Sequence, residues 1–202
     1  MGMLSTIKKI RFYFNYLRTI PVYLSYKTSA QRGKIKMDLD RWRDVTSDRC
    51  EPEKSDLKLM NRLLFSQIPF RNLIQMRLKT PPHTLKSALH YLIAKILWRK
   101  DSTLSIATYN IGGGLFIQHG FATVIDAESI GENCWINQQV TIGYSGSEHP
   151  TIGKNCRIHC GAKVLGGITM NDGSVAGANA VVVKDVPPNA VVGGGSCKDY
   201  QV

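Results

Sequence analysis

Two histidines stand in short polar stretches of this chain. His119 lies in Ile117-Gln118-His119-Gly120-Phe121-Ala122-Thr123-Val124, and His149 in Tyr144-Ser145-Gly146-Ser147-Glu148-His149-Pro150. An imidazole titrates near neutral pH, so either could take a proton from a hydroxyl held within hydrogen-bond reach. A single histidine on a turn is ordinarily only solvated. These two are singled out because each interrupts an otherwise regular repeat, and segments thrown out of a rigid repeat are common places for function. Cys156, His159 and Cys160 are close enough in sequence to suggest metal ligands, but the repeat aims them in different directions, and no metal is expected.

The repeat has a period of six. Val124, Ile130, Ile136 and Ile142 form one apolar series, which resumes after a ten-residue step as Ile152, Ile158, Val164, Met170, Ala176 and Val182. The residue four later is small or aliphatic in most hexads: Cys134, Val140, Cys156, Ala162, Ile168, Ser174 and Ala180. Gly or Asn often follows the first apolar residue, as at Gly131, Asn137, Gly143, Gly153, Asn171 and Gly177. Such a period fits neither a helix nor an alternating strand. It suits a chain that runs flat briefly and turns a corner, three sides closing a triangular coil and successive coils hydrogen-bonding at the parallel-strand spacing. The aliphatic residues then point inward, and Gly or Asn takes the corners. Pro187-Pro188 cannot continue a ladder and marks the expected end.

These features resemble the hexapeptide-repeat acyltransferases, whose coils are left-handed, over about residues 104–198. The closing Val181-Val182-Val183-Lys184-Asp185-Val186-Pro187-Pro188-Asn189-Ala190-Val191-Val192-Gly193 is very like that family's ending. His119-Gly120-x-Ala122-x-Val124-Ile125, Val140-Thr141-Ile142-Gly143 and His149-Pro150-x-Ile152-Gly153 resemble the serine acetyltransferase branch, and more closely its capsule and exopolysaccharide acetyltransferases. The resemblance implies acetyl-CoA as co-substrate, His119 as general base, and His149 binding the acceptor or assisting proton transfer. The acetyl group would pass directly, with no covalent enzyme intermediate. It also implies CoA along a groove between subunits of a homotrimer, with Cys160 and Ala178 beside the pantetheine arm and Lys184 and Lys198 near the phosphates; Lys163 is a further candidate. Serine acetyltransferases typically carry an acid before the first histidine and an arginine before the second. Here Gln118 and Glu148 take those places as acceptor-binding residues, and an anion at Glu148 would repel a substrate carboxylate. The expected acceptor is therefore a sugar hydroxyl in surface polysaccharide synthesis. Serine O-acetylation is the alternative, and a non-catalytic scaffold a second one.

The two halves differ in charge. Residues 1–100 carry 21 Lys and Arg against 7 Asp and Glu, and residues 101–202 carry 5 against 8, within a net charge of +11. The fold class expected is mainly β, a left-handed parallel β-helix over 104–202 preceded by a basic, mostly α-helical region over 1–103. Asp56 can cap a helix through Phe65, Thr84 can start one over Leu85–Trp98, and Ala30 to Lys54 reads as a loose charged connector. No nucleic-acid motif accompanies the charge, and no run reaches the length of a membrane span. Met3–Tyr26 lacks the small-residue segment of a signal peptide. Met1-Gly2-Met3-Leu4-Ser5-Thr6 nominally fits a myristoylation pattern, but so short a pattern is weak. The odd count of five cysteines, with no CxxC pair, fits a reducing cytosol. Basic, apolar helices suit docking of trimers into pairs or peripheral attachment to the inner membrane face.

Overall fold

The computed structural model describes residues 2–47, 54–79, 85–194 and 198–200, with side chains from residue 13 to 194 within those ranges. Five helices come first: α1 (Gly2–Thr28), α2 (Arg32–Thr46), α3 (Asp56–Ser66), α4 (Ile68–Lys79) and α5 (Leu85–Leu97). The stretch expected as a loose connector is largely α2. Ile35, Asp38, Leu39 and Trp42 fall at helical spacing and are buried, while the charges that lower its mean hydropathy lie on the other face. Asp56 is the first residue of α3, and Ser55 precedes it as N-cap without a side-chain bond. The Asp56 carboxylate instead ties α3 to α2, accepting from Lys36 Nζ at 2.9 Å and Arg43 Nη2 at 2.7 Å. Burial pushes this carboxyl up, but the two cations outweigh burial and hold it below the usual carboxylate range. The link is therefore complete above that range and is lost as pH falls through it. Thr84 lies outside the described residues.

From Leu104 the chain is a parallel β-solenoid with three sheets. The first runs β1 (Leu104–Ile106), β3 (Thr123–Ile125), β6 (Thr141–Gly143), β9 (Lys163–Leu165) and β12 (Val181–Val182). The second holds β4 (Ser129–Ile130), β7 (Thr151–Ile152) and β10 (Thr169–Met170). The third runs β2 (Phe116–Ile117), β5 (Trp135–Ile136), β8 (Arg157–Ile158), β11 (Val175–Ala176), β13 (Val191–Gly193) and β14 (Lys198–Tyr200). Register makes each sheet an inward ladder. Ile106, Ile125, Ile142, Val164 and Val182 stack in the first. Ile111, Ile130, Ile152, Met170 and Val186 stack in the second. Ile117, Ile136, Ile158, Ala176 and Val192 stack in the third.

Three details of the sequence reading change. Val124 is 42% exposed and Ile125 takes the interior place. The loop holding His119 adds two residues before Ile125, and the next side is reached in five. Secondly, Gly131 and Gly153 do not supply positive φ. They supply close approach, since a Cβ on Gly131 would lie 2.6 Å from the Gly153 backbone one coil on. Positive φ falls instead on residues such as Asn133, Gln139, Asn155 and Asn179. Thirdly, Pro187-Pro188 turn a corner rather than ending the ladder. β13 still pairs parallel with β11, and the stack stops where β14 returns antiparallel on β13.

At the other end, the first coil has no coil above it, and the helices take that place. In the second coil Ile130 O accepts from Gly112 N, Cys134 O from Phe116 N, and Asn133 N donates to Gly113 O. The equivalent groups of the first coil meet side chains instead. Arg77 Nη1 donates to Ile111 O at 2.7 Å, Trp42 Nε1 to Leu115 O at 2.9 Å, and Gly114 N donates to Asp38 Oδ1 at 2.8 Å. Asn72 Nδ2 likewise reaches Leu104 O at 2.9 Å. Asp38 and Arg77 also pair with each other, Nε to Oδ2 at 2.8 Å, both almost wholly buried. Replacing one member leaves a buried charge alone, so Arg77→Met should cost about 3–5 kcal/mol in urea unfolding. Lys36→Met, at a half-exposed pair, should cost about 1 kcal/mol or less. Equal losses would show that the cap carries no special weight.

Candidate active site

The first irregularity lies at the corner between the third and first sheets. Backbone bonds align this corner coil by coil: Gln118 N donates to Ile136 O, Asn137 N to Ile158 O, and His159 N to Ala176 O. One step further, Gly161 N donates to Gln138 O and Asn179 N to Cys160 O. His119 and Gly120 are the two residues with no counterpart in the coils below. Both have left-handed backbone, at φ 63° and 70°. A Cβ on Gly120 would stand 3.1 Å from Pro69 and 3.2 Å from Leu104, so the loop is seated on the start of α4 and on β1. His119 is left exposed at the tip, in a backbone state uncommon for a non-glycine residue.

Gln118 is not free beside it. Its Oε1 accepts from Trp135 Nε1 at 3.2 Å, and Trp135 packs edge-on against Phe116, which packs on Trp42 of α2. One coil below His119, Asn137 Oδ1 and Gln138 Oε1 are buried acceptors without a hydrogen-bond partner. Buried polar atoms are almost always satisfied, so these two oxygens stand out as acceptors open to a water or to a substrate donor. The sequence reading took Asn137 only as a corner residue and passed over Gln138, since both look like ordinary polar corner positions.

His149 belongs to a different corner, between the first and second sheets. The inserted loop folds back on itself, with Ser145 N donating to Glu148 O at 3.1 Å. His149 Nδ1 stands 3.4 Å from Asp126 Oδ1, and its ring lies 5.3 Å from that of Tyr144. The Nδ1 contact is ionic in range without hydrogen-bond geometry. Asp126 and Tyr144 are the neighbours of this imidazole, and Asp126 carried no sequence signal because it follows a strand of the coil above. The Glu148 carboxylate lies against Gly167, one coil below, where a Cβ would collide with it.

Cys160 (half-buried) and Ala178 (exposed) share the His119 corner on successive coils. Lys163 starts β9 beside them, and its Nζ donates to Gln139 O at 2.7 Å. Lys184 is exposed at the other corner, below His149. The side chain of Lys198, in β14, lies outside the described residues. One chain thus brings Cys160, Ala178 and Lys163 near the His119 corner and keeps His149 and Lys184 at another.

No family model matches the chain. Among relatives, a serine acetyltransferase of Helicobacter pylori is 42% identical over 125 residues, covering 57% of this chain and 73% of the relative. That of Mycobacterium tuberculosis is 47% identical over 89 residues, 42% of this chain and 39% of the relative. Solved structures agree in fold. A serine acetyltransferase in complex with CoA superposes with TM-score 0.61 at 20% identity, over 92% of this chain and 83% of the other. The Neisseria gonorrhoeae serine acetyltransferase in complex with serine gives 0.61 at 22%, over 89% and 73%. These findings overturn the sugar acceptor and surface polysaccharide synthesis, and they give the capsule branch no support. The chain belongs to the serine acetyltransferase family, acyltransferases built on a hexapeptide-repeat parallel β-solenoid.

Proposed function

We propose that the protein transfers the acetyl group of acetyl-CoA to the hydroxyl of serine, with His119 as general base. Membership of the family carries this reading, and the relatives' structures with CoA and with serine supply the two substrates. The His119 imidazole takes the hydroxyl proton as the serine oxygen attacks the thioester carbonyl carbon. Collapse of the tetrahedral intermediate breaks the carbon–sulfur bond, and the CoA thiolate leaves and takes up a proton. An alcohol is too weakly acidic to attack unaided, so the base is worth about 10²–10⁴ in rate. The unpartnered Asn137 Oδ1 and Gln138 Oε1 suit N–H donors on a substrate, such as the serine ammonium.

The separation of the two histidines supports a homotrimer. His119, Cys160 and Ala178 occupy one corner of the triangle, and His149 and Lys184 occupy the next. Around a threefold axis, one chain's first corner would face its neighbour's second, giving three equal sites. In this reading CoA lies along that groove, with Cys160 and Ala178 beside its pantetheine arm and Lys184 offered by the neighbour to its phosphates. Lys163 and Lys198 are the other cations assigned to the donor.

Thiol release from acetyl-CoA in the presence of serine tests the activity directly. His119→Ala should lose about 10²–10⁴ in kcat and keep its affinity for CoA; near-normal kcat on serine would remove His119 from the mechanism. Mixing tests the shared site. His119→Ala and His149→Ala, compared at a serine concentration where each alone is nearly silent, should regain about a quarter of the wild-type rate when refolded together at equal amounts, because random assembly pairs an intact His119 with an intact neighbouring His149 at that frequency. Recovery of nothing would place both histidines in a site within one chain.

A further inference from the structure

Helices α1 and α5 carry an outer surface that the fold does not use. On α1, Phe14, Leu17, Ile20 and Leu24 are exposed, Leu17 by 68%, along the side opposite the buried Asn15, Thr19, Val22 and Tyr26. On α5, Leu85, Leu89, Leu92 and Ile96 are exposed, Leu85 by 90%, at the spacing of one helical face opposite Ala94. The two helices pack together antiparallel: Arg18 donates to Leu97 O and the Trp98 indole to Arg18 O near one end, while Thr28 Oγ1 meets His90 Nε2 at 3.4 Å near the other. Two apolar stripes therefore run along neighbouring helices, each opposite its own buried side. Exposed apolar patches of this extent mark an interaction site.

Charge selects the occupant. No Asp or Glu occurs between Met1 and Met37, nor between Leu57 and Lys100, so α1, α4 and α5 contain no acid at all. The exposed Lys86 and Lys95 fall on either side of the α5 stripe, and Arg99 and Lys100 follow its end. Long cationic side chains flanking an apolar stripe are the arrangement of a helix lying in a lipid interface, the stripe among the acyl chains and the ammonium groups among anionic headgroups. A second copy of the same face would set cation against cation with no acid to answer it. Among the described residues no helix is long and apolar enough to cross a membrane. We propose that the α1–α5 face docks on the surface of an anionic lipid bilayer and lies flat on it without spanning it.

Co-sedimentation of the full chain with vesicles tests this. Vesicles of phosphatidylglycerol and phosphatidylcholine should pull down at least tenfold more protein than phosphatidylcholine alone, and raising the salt should release it. The exposed positions permit a variant that keeps the fold: Leu89→Glu with Ile96→Glu should lose at least tenfold in vesicle binding with an unchanged circular-dichroism spectrum. Sedimentation velocity of the same variant without lipid separates the other occupant. An unchanged oligomer together with lost vesicle binding supports the bilayer. A smaller oligomer overturns it in favour of a second copy, and absence of wild-type binding to anionic vesicles overturns it outright.

Discussion

A stack of parallel coils satisfies its own backbone everywhere except at its ends, and the structure is organised around the first of those ends. Each inner coil donates to and accepts from its neighbours, so the opening coil is left with carbonyls at Leu104, Ile111 and Leu115 and an N–H at Gly114 that have nothing above them. Each such group, if buried unpaired, costs about 1–3 kcal/mol. The helices answer all four with Asn72, Arg77, Trp42 and Asp38. Arg77 and Asp38 also neutralise each other, which lets both be buried. The helical layer is thus a cap as well as a carrier of charge, and its placement on the solenoid is fixed at several points.

That fixed placement reaches the histidine. The loop bearing His119 leans on Pro69 of α4 and Leu104 of β1 through Gly120, where close packing and a left-handed backbone disfavour a side chain. Its neighbour Gln118 is held by Trp135, and the stack Trp135–Phe116–Trp42 leads back to the residue that caps Leu115. The same helices therefore close the solenoid and hold the loop presenting the imidazole. The base proposed at His119 must sit within hydrogen-bond reach of its proton, and a loop on a rigid stack, braced from above, is a suitable mount.

The ladder was readable in the sequence because its signal is repeated: fourteen of the fifteen inward positions are Ile, Val or Met, the other Ala176, and nine of the fourteen steps between them are six residues long. Val124 shows the limit of that reading. Val124 and Ile125 are both aliphatic, and hydrophobicity alone does not say which one faces inward once an insertion has shifted the phase. The histidines were readable as interruptions. Asp126 and the Asn137–Gln138 pair were not, because their significance lies in neighbours one coil away rather than in adjacent sequence. Helix α2 was hidden by its charges, and its Asp38, a buried acid in a charged segment, gave no sign of its partners at positions 77, 114 and 115.

The mistaken acceptor has the same origin. The sugar acceptor was inferred from Gln118 and Glu148 through their adjacency to the histidines, and adjacency alone does not say what a side chain touches. Successive residues of an extended chain face opposite ways, and the tight fold of the inserted loop sends the Glu148 carboxylate onto Gly167 while His149 turns to Asp126 and Tyr144. Adjacency in sequence thus says little about company in space at a corner of a solenoid, whereas adjacency between coils says a great deal. The groups that stand together along one corner are those separated by a full coil, as Gln138, Cys160 and Ala178 are. A site on this fold has to be read down the stack, and in the proposed trimer it is completed where one triangle's corner meets the next.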